Sequence, residues 1–213
     1  MPAELPELTT HLSGNDALSL LGIIHRSIDC DSTEDFKGLV QGVQELLTCD
    51  FAIAALGYRD ETGGVVIVDG VNISFPEEWC AVYKAENYLR FDPVVNEHFT
   101  TYEPQSWSQA RRRIINNESQ NKIASLCMDF NMKEGYTVGS KPFPPENTGS
   151  MFCFSGRSMK NDKRTEAILD CITPHLHLAL SGILGKRGAP NDAISLSNRE
   201  REVLDWLKQG KSS

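Results

Sequence analysis

Apolar residues recur at helical spacing through the first fifty positions of the chain. Leu18, Leu21, Ile24 and Ile28 predict one helix, running to about Ser27 with Asn15 or Asp16 as its cap. Phe36, Leu39, Val40, Val43, Leu46 and Leu47 predict a second, capped by Ser32 or Thr33. The period then shortens. FAIAALGY (51–58) and VVIVDG (65–70) read as paired strands. Between them RDETGG forms a hairpin turn, with Gly63 and Gly64 supplying positive φ. Pro76 suits the first turn of a helix carrying Trp79 and Tyr83. Residues 108–132 predict a long helix with a polar face of Arg111, Arg112, Arg113, Asn117 and Glu118. YTVGSKPF and SMFCFSG read as further strands, and 162–184 as a last amphipathic helix. Helices, short-turned strands and helices again predict an α/β layered sheet domain.

Composition narrows the class. The 213 residues suit one domain with a small appendage, and 40% hydrophobic content supplies a core. No uninterrupted apolar run approaches 18 residues, so no membrane helix is expected. The N-terminus, MPAELPELTTHLSG, lacks the basic and apolar regions of a signal peptide. Cys30, Cys49, Cys80, Cys127, Cys153 and Cys171 are scattered without a C-x-x-C pair. They read as reduced, mostly buried thiols of a cytoplasmic protein. The net charge is −8, yet six basic and four acidic residues from Gly185 onward make the tail +2 and residues 1–184 −10. An acidic body of that kind is a poor partner for phosphates.

Enzyme readings find little. His175 and His177 lie two apart and so face different sides of a helix, and no second metal pair exists. His11, His25 and His98 are scattered, and G-x-S-x-G, P-loop and H-E-x-x-H patterns are missing. Neither metal nor cofactor is expected. The ARRR run (110–113) reads as a solvated helix face, with a dimer or partner contact as the other reading.

The most informative stretch is WCAVYKAENYLRFDPVVNEHFTTYEPQSW (79–107). Trp79 and Tyr83, four apart, share one helix face. Asp92 follows in FDPVV, and Trp107 closes the segment. Taken singly, Trp79 and Tyr83 read as core aromatics and Asp92 as a helix cap. Taken together, two aromatic donors and a carboxylate in an apolar setting make a pocket for a small amphiphile with an amide head.

The spacing Trp79, Tyr83, Asp92–Pro93, Trp107 resembles the ligand domain of LuxR-type quorum-sensing regulators. Gly135 and Gly139 in KEGYTVGSKPF resemble that family's turn-and-strand element. LSNREREVLDWLKQGKSS (196–213) resembles the opening of its helix-turn-helix domain, with Ser197 and Glu200 as a capping box. The resemblance implies an α-β-α sandwich with a central antiparallel sheet over 1–184. A linker at 185–194 and the first helix of an incomplete DNA-binding domain at 195–213 would follow. It also implies an acyl-homoserine lactone as ligand: Trp79 donating to the lactone carbonyl, Asp92 accepting from the amide N–H, Tyr83 packing on or bonding near the head group, and Trp107 closing the site. Phe75 departs from the pattern, standing where the family has a tyrosine whose hydroxyl reaches the acyl carbonyl. Ser150 or Tyr83 would have to replace that donor, unless the ligand differs. Tyr136 and Phe152 are expected to line the acyl region, or else to be sheet core. The resemblance further implies a cytoplasmic homodimer that meets DNA only through a complete helix-turn-helix domain, with no membrane partner. Two other roles stay open: a shortened regulator that pairs with full-length subunits into inactive dimers, and a sensor of a different small molecule.

Overall fold

A computed structural model describes residues 10–112, 118–142 and 147–188. Helix α1 spans Gly14–Ile28 and α2 Thr33–Leu47, followed by strands β1, Phe51–Arg59, and β2, Val65–Asn72. Helix α3, Glu77–Ala85, leads through a short 3-10 turn at Tyr88–Arg90 into α4, Pro93–Thr101. The two-residue β3, Gln105–Ser106, precedes α5, Trp107–Arg112, and α6, Glu118–Asp129. Strands β4, Glu134–Val138, and β5, Gly149–Gly156, come before the long α7, Lys163–Gly188. The 185–194 linker, apart from the end of α7, and the whole 195–213 segment lie outside the described residues, as does Arg113.

The five strands among the described residues pair antiparallel in the order β2-β1-β5-β4-β3. Each strand sends alternate side chains to opposite faces, and helices cover both. On one face Ala52, Ala54, Leu56, Tyr136, Phe152 and Phe154 pack against α1, α2 and α7. On the other, Ile53, Ala55, Met151 and Cys153 pack beneath α3–α6. This is the expected α-β-α sandwich. The anchor of the first face is α7, whose Ile168, Leu169, Ile172, Leu176 and Leu180 are fully buried. Each contributes about 1.5–3 kcal/mol by that burial. By length and composition α7 could cross a bilayer, but 67% of the qualifying stretch is buried inside the protein, so its apolarity is that of a core helix.

Several local expectations need correction. Ser13, not Asn15 or Asp16, caps α1: its hydroxyl accepts from the Asp16 N–H, and Asp16 reaches back to the Ser13 N–H. Asp16 also pairs with Arg164 at the start of α7, at 2.5 Å, which joins α1 to α7 and holds its carboxyl well below the usual range. The buried face of α1 is Leu20 and Ile23, whereas Leu18, Leu21 and Ile28 are 70%, 62% and 76% exposed. An amphipathic pattern with apolar residues all around the helix does not say which stripe faces inward. In the hairpin only Gly63 has positive φ. The turn is closed by Asp60, whose carboxylate accepts from the Thr62 and Gly64 N–H groups. The 108–132 stretch is helical through Arg112 and again over α6, which ends at Asp129, short of 132; 113–117 lie outside the described residues. Only Cys127 and Cys153 among the thiols are buried; the other four are half-buried, and all six are unpaired by disulfides.

Candidate functional site

The helices over the second face enclose a cavity of about 650 Å³, well inside the size range of small-molecule sites. Its floor is Ile53 and Ala55 of β1, Ile67 of β2, and Met151 and Cys153 of β5; its roof comes from α3, α4, α5 and α6. The polar lining residues are few. Lys84 and Asn87 are exposed, and Arg111 and Gln120 half-buried, which places them at the solvent side; Asp92 alone is buried.

Three aromatic rings, Phe75, Trp79 and Tyr83, line one wall, and Tyr88 adjoins the last of them outside the lining. Phe75 meets Trp79 edge-on at 5.0 Å, Trp79 stacks on Tyr83 at 4.7 Å, and Tyr83 meets Tyr88 at 5.9 Å. The four-residue helical spacing produces the Trp79–Tyr83 stack. Phe75 is held in place by Asn72, whose side chain accepts from its N–H and donates to its carbonyl.

Asp92 is both helix cap and cavity residue. Its Oδ1 accepts from the Val94 N–H at 2.9 Å and the Val95 N–H at 3.3 Å, and its Oδ2 accepts from the Tyr83 hydroxyl at 2.8 Å. Pro93 follows at the first helical position, where no N–H is needed. Burial lifts the Asp92 titration above the ordinary carboxylate range, and the hydrogen bonds from Tyr83, Val95 and Val94 pull it partly back. A carboxylate offers about four acceptor positions, so one on Oδ2 stays open. The Tyr83 phenol is pushed well up by burial first and the Asp92 charge second, so it remains a donor.

The Trp79 indole N–H is buried without an acceptor. The Cys127 sulfur lies near enough to feel it, which slightly offsets the burial that pushes this thiol up to about 12, but no hydrogen bond is formed. An unpartnered buried donor costs about 1–3 kcal/mol. Facing an apolar cavity, it is a vacancy for an acceptor.

Trp107 plays a different part. Its indole N–H donates to Thr137 Oγ1 at 2.9 Å, so it is wall rather than free donor. Its ring lies flat on Gly135, where an added Cβ would come within 2.7 Å of it.

Five of the eight expected site residues therefore meet at the cavity: Phe75, Trp79, Tyr83, Asp92 and Trp107. Tyr136, Ser150 and Phe152 do not. Tyr136 and Phe152 belong to the core on the opposite face of the sheet. The Ser150 hydroxyl accepts from the Ser140 N–H, and its carbonyl bonds His98 Nε2 at 2.9 Å. The cavity-facing residues of β5 are the alternate ones, Met151 and Cys153. Every residue of β5 is buried, so its sequence lacks the polar alternation that would tell the two faces apart. Cys127, Ile123 and Ala55 line the cavity without any prior sequence signal. No cluster of three metal-ligating side chains occurs among the described residues.

Known proteins share this architecture. The sequence profile of the autoinducer binding domain matches residues 45–180. The HTH-type quorum sensing-dependent transcriptional regulator RpaR of Rhodopseudomonas palustris is 24% identical over 187 residues, covering 86% of this chain and 74% of that protein. Among solved structures, Escherichia coli SdiA superposes with a TM-score of 0.63 at 17% identity, over 91% of this chain and 79% of that one. SdiA in complex with octanoyl-rac-glycerol gives 0.62 at 18%, over 94% and 80%. The N-acylhomoserine lactone dependent LuxR family transcription factor CepR2 of Burkholderia cenocepacia gives 0.60 at 16%, over 80% and 98%.

Proposed function

The chain belongs to the autoinducer-binding family of LuxR-type regulators, and from that premise we propose that its cavity receives an acyl-homoserine lactone and that it regulates transcription in quorum sensing. One observation carries the ligand reading. A buried indole N–H without an acceptor, on Trp79, and a buried carboxylate with one open acceptor position, on Asp92, line the same apolar cavity. The complement is a small molecule with a carbonyl and an N–H on its head and an apolar tail. On this reading the lactone carbonyl takes the Trp79 proton, the amide N–H goes to Asp92, and the acyl chain lies over Ile53, Ala55 and Met151. The regulator acts as a cytoplasmic homodimer and touches DNA through a helix-turn-helix unit, whose opening Leu196–Ser213 resembles.

Native mass spectrometry of the purified chain tests this, since it reports a co-purified ligand and the dimer together. Calorimetric titration with lactones of several chain lengths follows. A protein that binds none of them and carries no small molecule would sink the lactone reading.

A second reading has its own support. Phe75 offers no hydroxyl to an acyl carbonyl, and SdiA is solved with octanoyl-rac-glycerol. A non-lactone amphiphile of similar size satisfies the cavity's shape, and including a monoacylglycerol in the titration separates the two.

A further inference from the structure

Apart from its thiols and Tyr83, the cavity is lined by three ionisable residues, Lys84, Asp92 and Arg111. Two cations against one carboxylate leave the lining short of one negative charge. Lys84 is exposed at the end of α3, without an ion pair or side-chain hydrogen bond among the described residues. Arg111 is held in place but not used up. Its Nη2 donates to the Lys133 carbonyl, and its one ion pair is a long contact with Glu134 Oε1 at 4.0 Å. That oxygen already accepts from the Ser108 and Gly135 N–H groups. A guanidinium carries five N–H donors, so most of those on Arg111 stay open.

Arg111 also lies at the Trp79 end of the cavity. Burial pushes the Cys127 thiol up to about 12 and the Asp92 charge adds to it, while the Trp79 indole and the Arg111 charge pull the other way. One thiol is therefore within reach of an unpartnered indole N–H, a carboxylate with an open position and a guanidinium with open donors. A neutral lactone uses the first two and gives the guanidinium nothing. Opening the lactone ring turns its carbonyl into a carboxylate at the same carbon. One oxygen then takes the Trp79 proton and the other meets the planar fork of Arg111, whose geometry suits a carboxylate. The Asp92 charge opposes a second anion close by, and Arg111 and Lys84 offset it.

We propose that Arg111, with Lys84 at the rim, forms a carboxylate-binding subsite beside Trp79 and Asp92, so that the cavity takes N-acyl amino acids, ring-opened acyl-homoserine among them, at least as tightly as the neutral lactone. The proposal rests on the reading of the cavity as the site of an acyl amide. It changes the class of ligand from a neutral amphiphile to an anionic one.

Calorimetry with N-octanoyl-homoserine lactone, its ring-opened acid N-octanoyl-homoserine, and N-octanoyl-glycine tests it. Wild type should bind the two acids as tightly as the lactone or tighter. Arg111→Ala and Arg111→Gln should each weaken the acids about tenfold or more and leave the lactone within about twofold, so the lactone reports whether the fold survives. Lys84→Ala should weaken the acids about twofold to tenfold, an effect that shrinks in half-molar salt because an exposed charge is screened. Acids that bind wild type tenfold more weakly than the lactone would overturn the proposal and leave the lactone reading standing. Equal losses for acid and lactone in Arg111→Gln would overturn it too, as the mark of a merely structural residue. Binding of the acids alone would sink the lactone reading and keep the subsite. If neither class binds, both fall.

Discussion

The Tyr83 hydroxyl donates to Asp92 Oδ2 at 2.8 Å, joining the helix that carries the aromatic wall to the helix that Asp92 caps. The bond helps keep charged a carboxylate that burial drives toward neutrality. That tension has a consequence for stability. The folded-state titration of Asp92 is raised, so the proton is favoured in the folded state. Its contribution to stability is full below the unfolded value of about 3.8 and is lost as pH rises through the raised one. Above that raised value the ionised side chain weighs against folding and serves binding instead.

Asp92→Asn should therefore leave the unliganded melting temperature unchanged or higher at pH 7, because asparagine also caps helices well. It should weaken lactone binding about tenfold to a hundredfold, the worth of a charged acceptor at roughly 1.5–3 kcal/mol. Tyr83→Phe should do the opposite to the free protein and lower its stability, since the carboxylate stays buried with one donor fewer. Melting curves and calorimetric titrations of both variants check this. A large drop in the unliganded melting temperature of Asp92→Asn would show that the ion stabilises the fold.

A buried imidazole sets a second pH dependence. His98 is fully buried, bonds the Ser150 carbonyl through Nε2, and has no partner on Nδ1. Burial lowers its titration from 6.5 to about 4. The unfolded chain then takes up a proton below 6.5 that the folded chain refuses until about 4. Stability is full above 6.5 and falls by about 3 kcal/mol between those values. His98→Leu should be less stable at pH 7.5, having orphaned a buried carbonyl, but should flatten the slope between pH 6.5 and 4. Urea denaturation at half-unit pH intervals measures both effects, and an unchanged slope would exclude His98 as its source.

Much of the layered fold is legible in the sequence because its helices repeat at 3.6 and its strands come in short runs broken by glycine and proline. The Trp79, Tyr83, Asp92 and Trp107 spacing is legible for a related reason. Two of those residues share a helix face and a third sits at a helix cap, so local geometry alone brings them near one another. What the sequence conceals is sidedness. In α1, apolar residues surround the helix, and Leu20 and Ile23 rather than Leu18 and Leu21 face inward. In β5, both faces are covered, and nothing marks Met151 and Cys153 as the cavity side until β1 and β4 fix the register. The role of Trp107 is hidden in the same way, because its acceptor, Thr137, lies thirty residues on and across a strand pairing.

Two glycine substitutions should separate a packing role from a helical one. At Gly135 a Cβ would come within 2.7 Å of the Trp107 ring and 2.8 Å of the Phe154 carbonyl. Gly135→Ala should therefore cost about 1–3 kcal/mol by overpacking, and should weaken ligand binding by displacing the cavity wall. Gly182, within α7, has no atom within 4 Å of a built Cβ. Gly182→Ala should stabilise the fold by about 1 kcal/mol through helix propensity and leave binding alone. Trp107 fluorescence, read in a background with both Trp79→Phe and Trp206→Phe, would follow the displacement. Equal melting temperatures for the two variants would contradict the close approach at Gly135.

Phe75→Tyr probes the departure that bears most on ligand choice. Phe75 is 4% exposed and lines the cavity, packed edge-on against Phe51 at 6.1 Å and Trp79 at 5.0 Å. A hydroxyl on that ring enters an apolar space. Without ligand it lacks a protein partner and should cost about 1–3 kcal/mol, so the free variant should melt lower than wild type. With a 3-oxo-acyl lactone bound, the hydroxyl can reach a carbonyl. A net gain of about 0.5–1.5 kcal/mol then means roughly twofold to tenfold tighter binding. The two effects have opposite signs, so the ligand-induced rise in melting temperature should be larger in the variant than in wild type even though its starting point is lower. If the native ligand already fills the space beside Phe75, binding of that ligand should fall while binding of a slimmer lactone rises. Melting curves with and without ligand, together with calorimetry, distinguish these outcomes. Identical curves and affinities for the two proteins would show that the ring at position 75 does not touch the ligand.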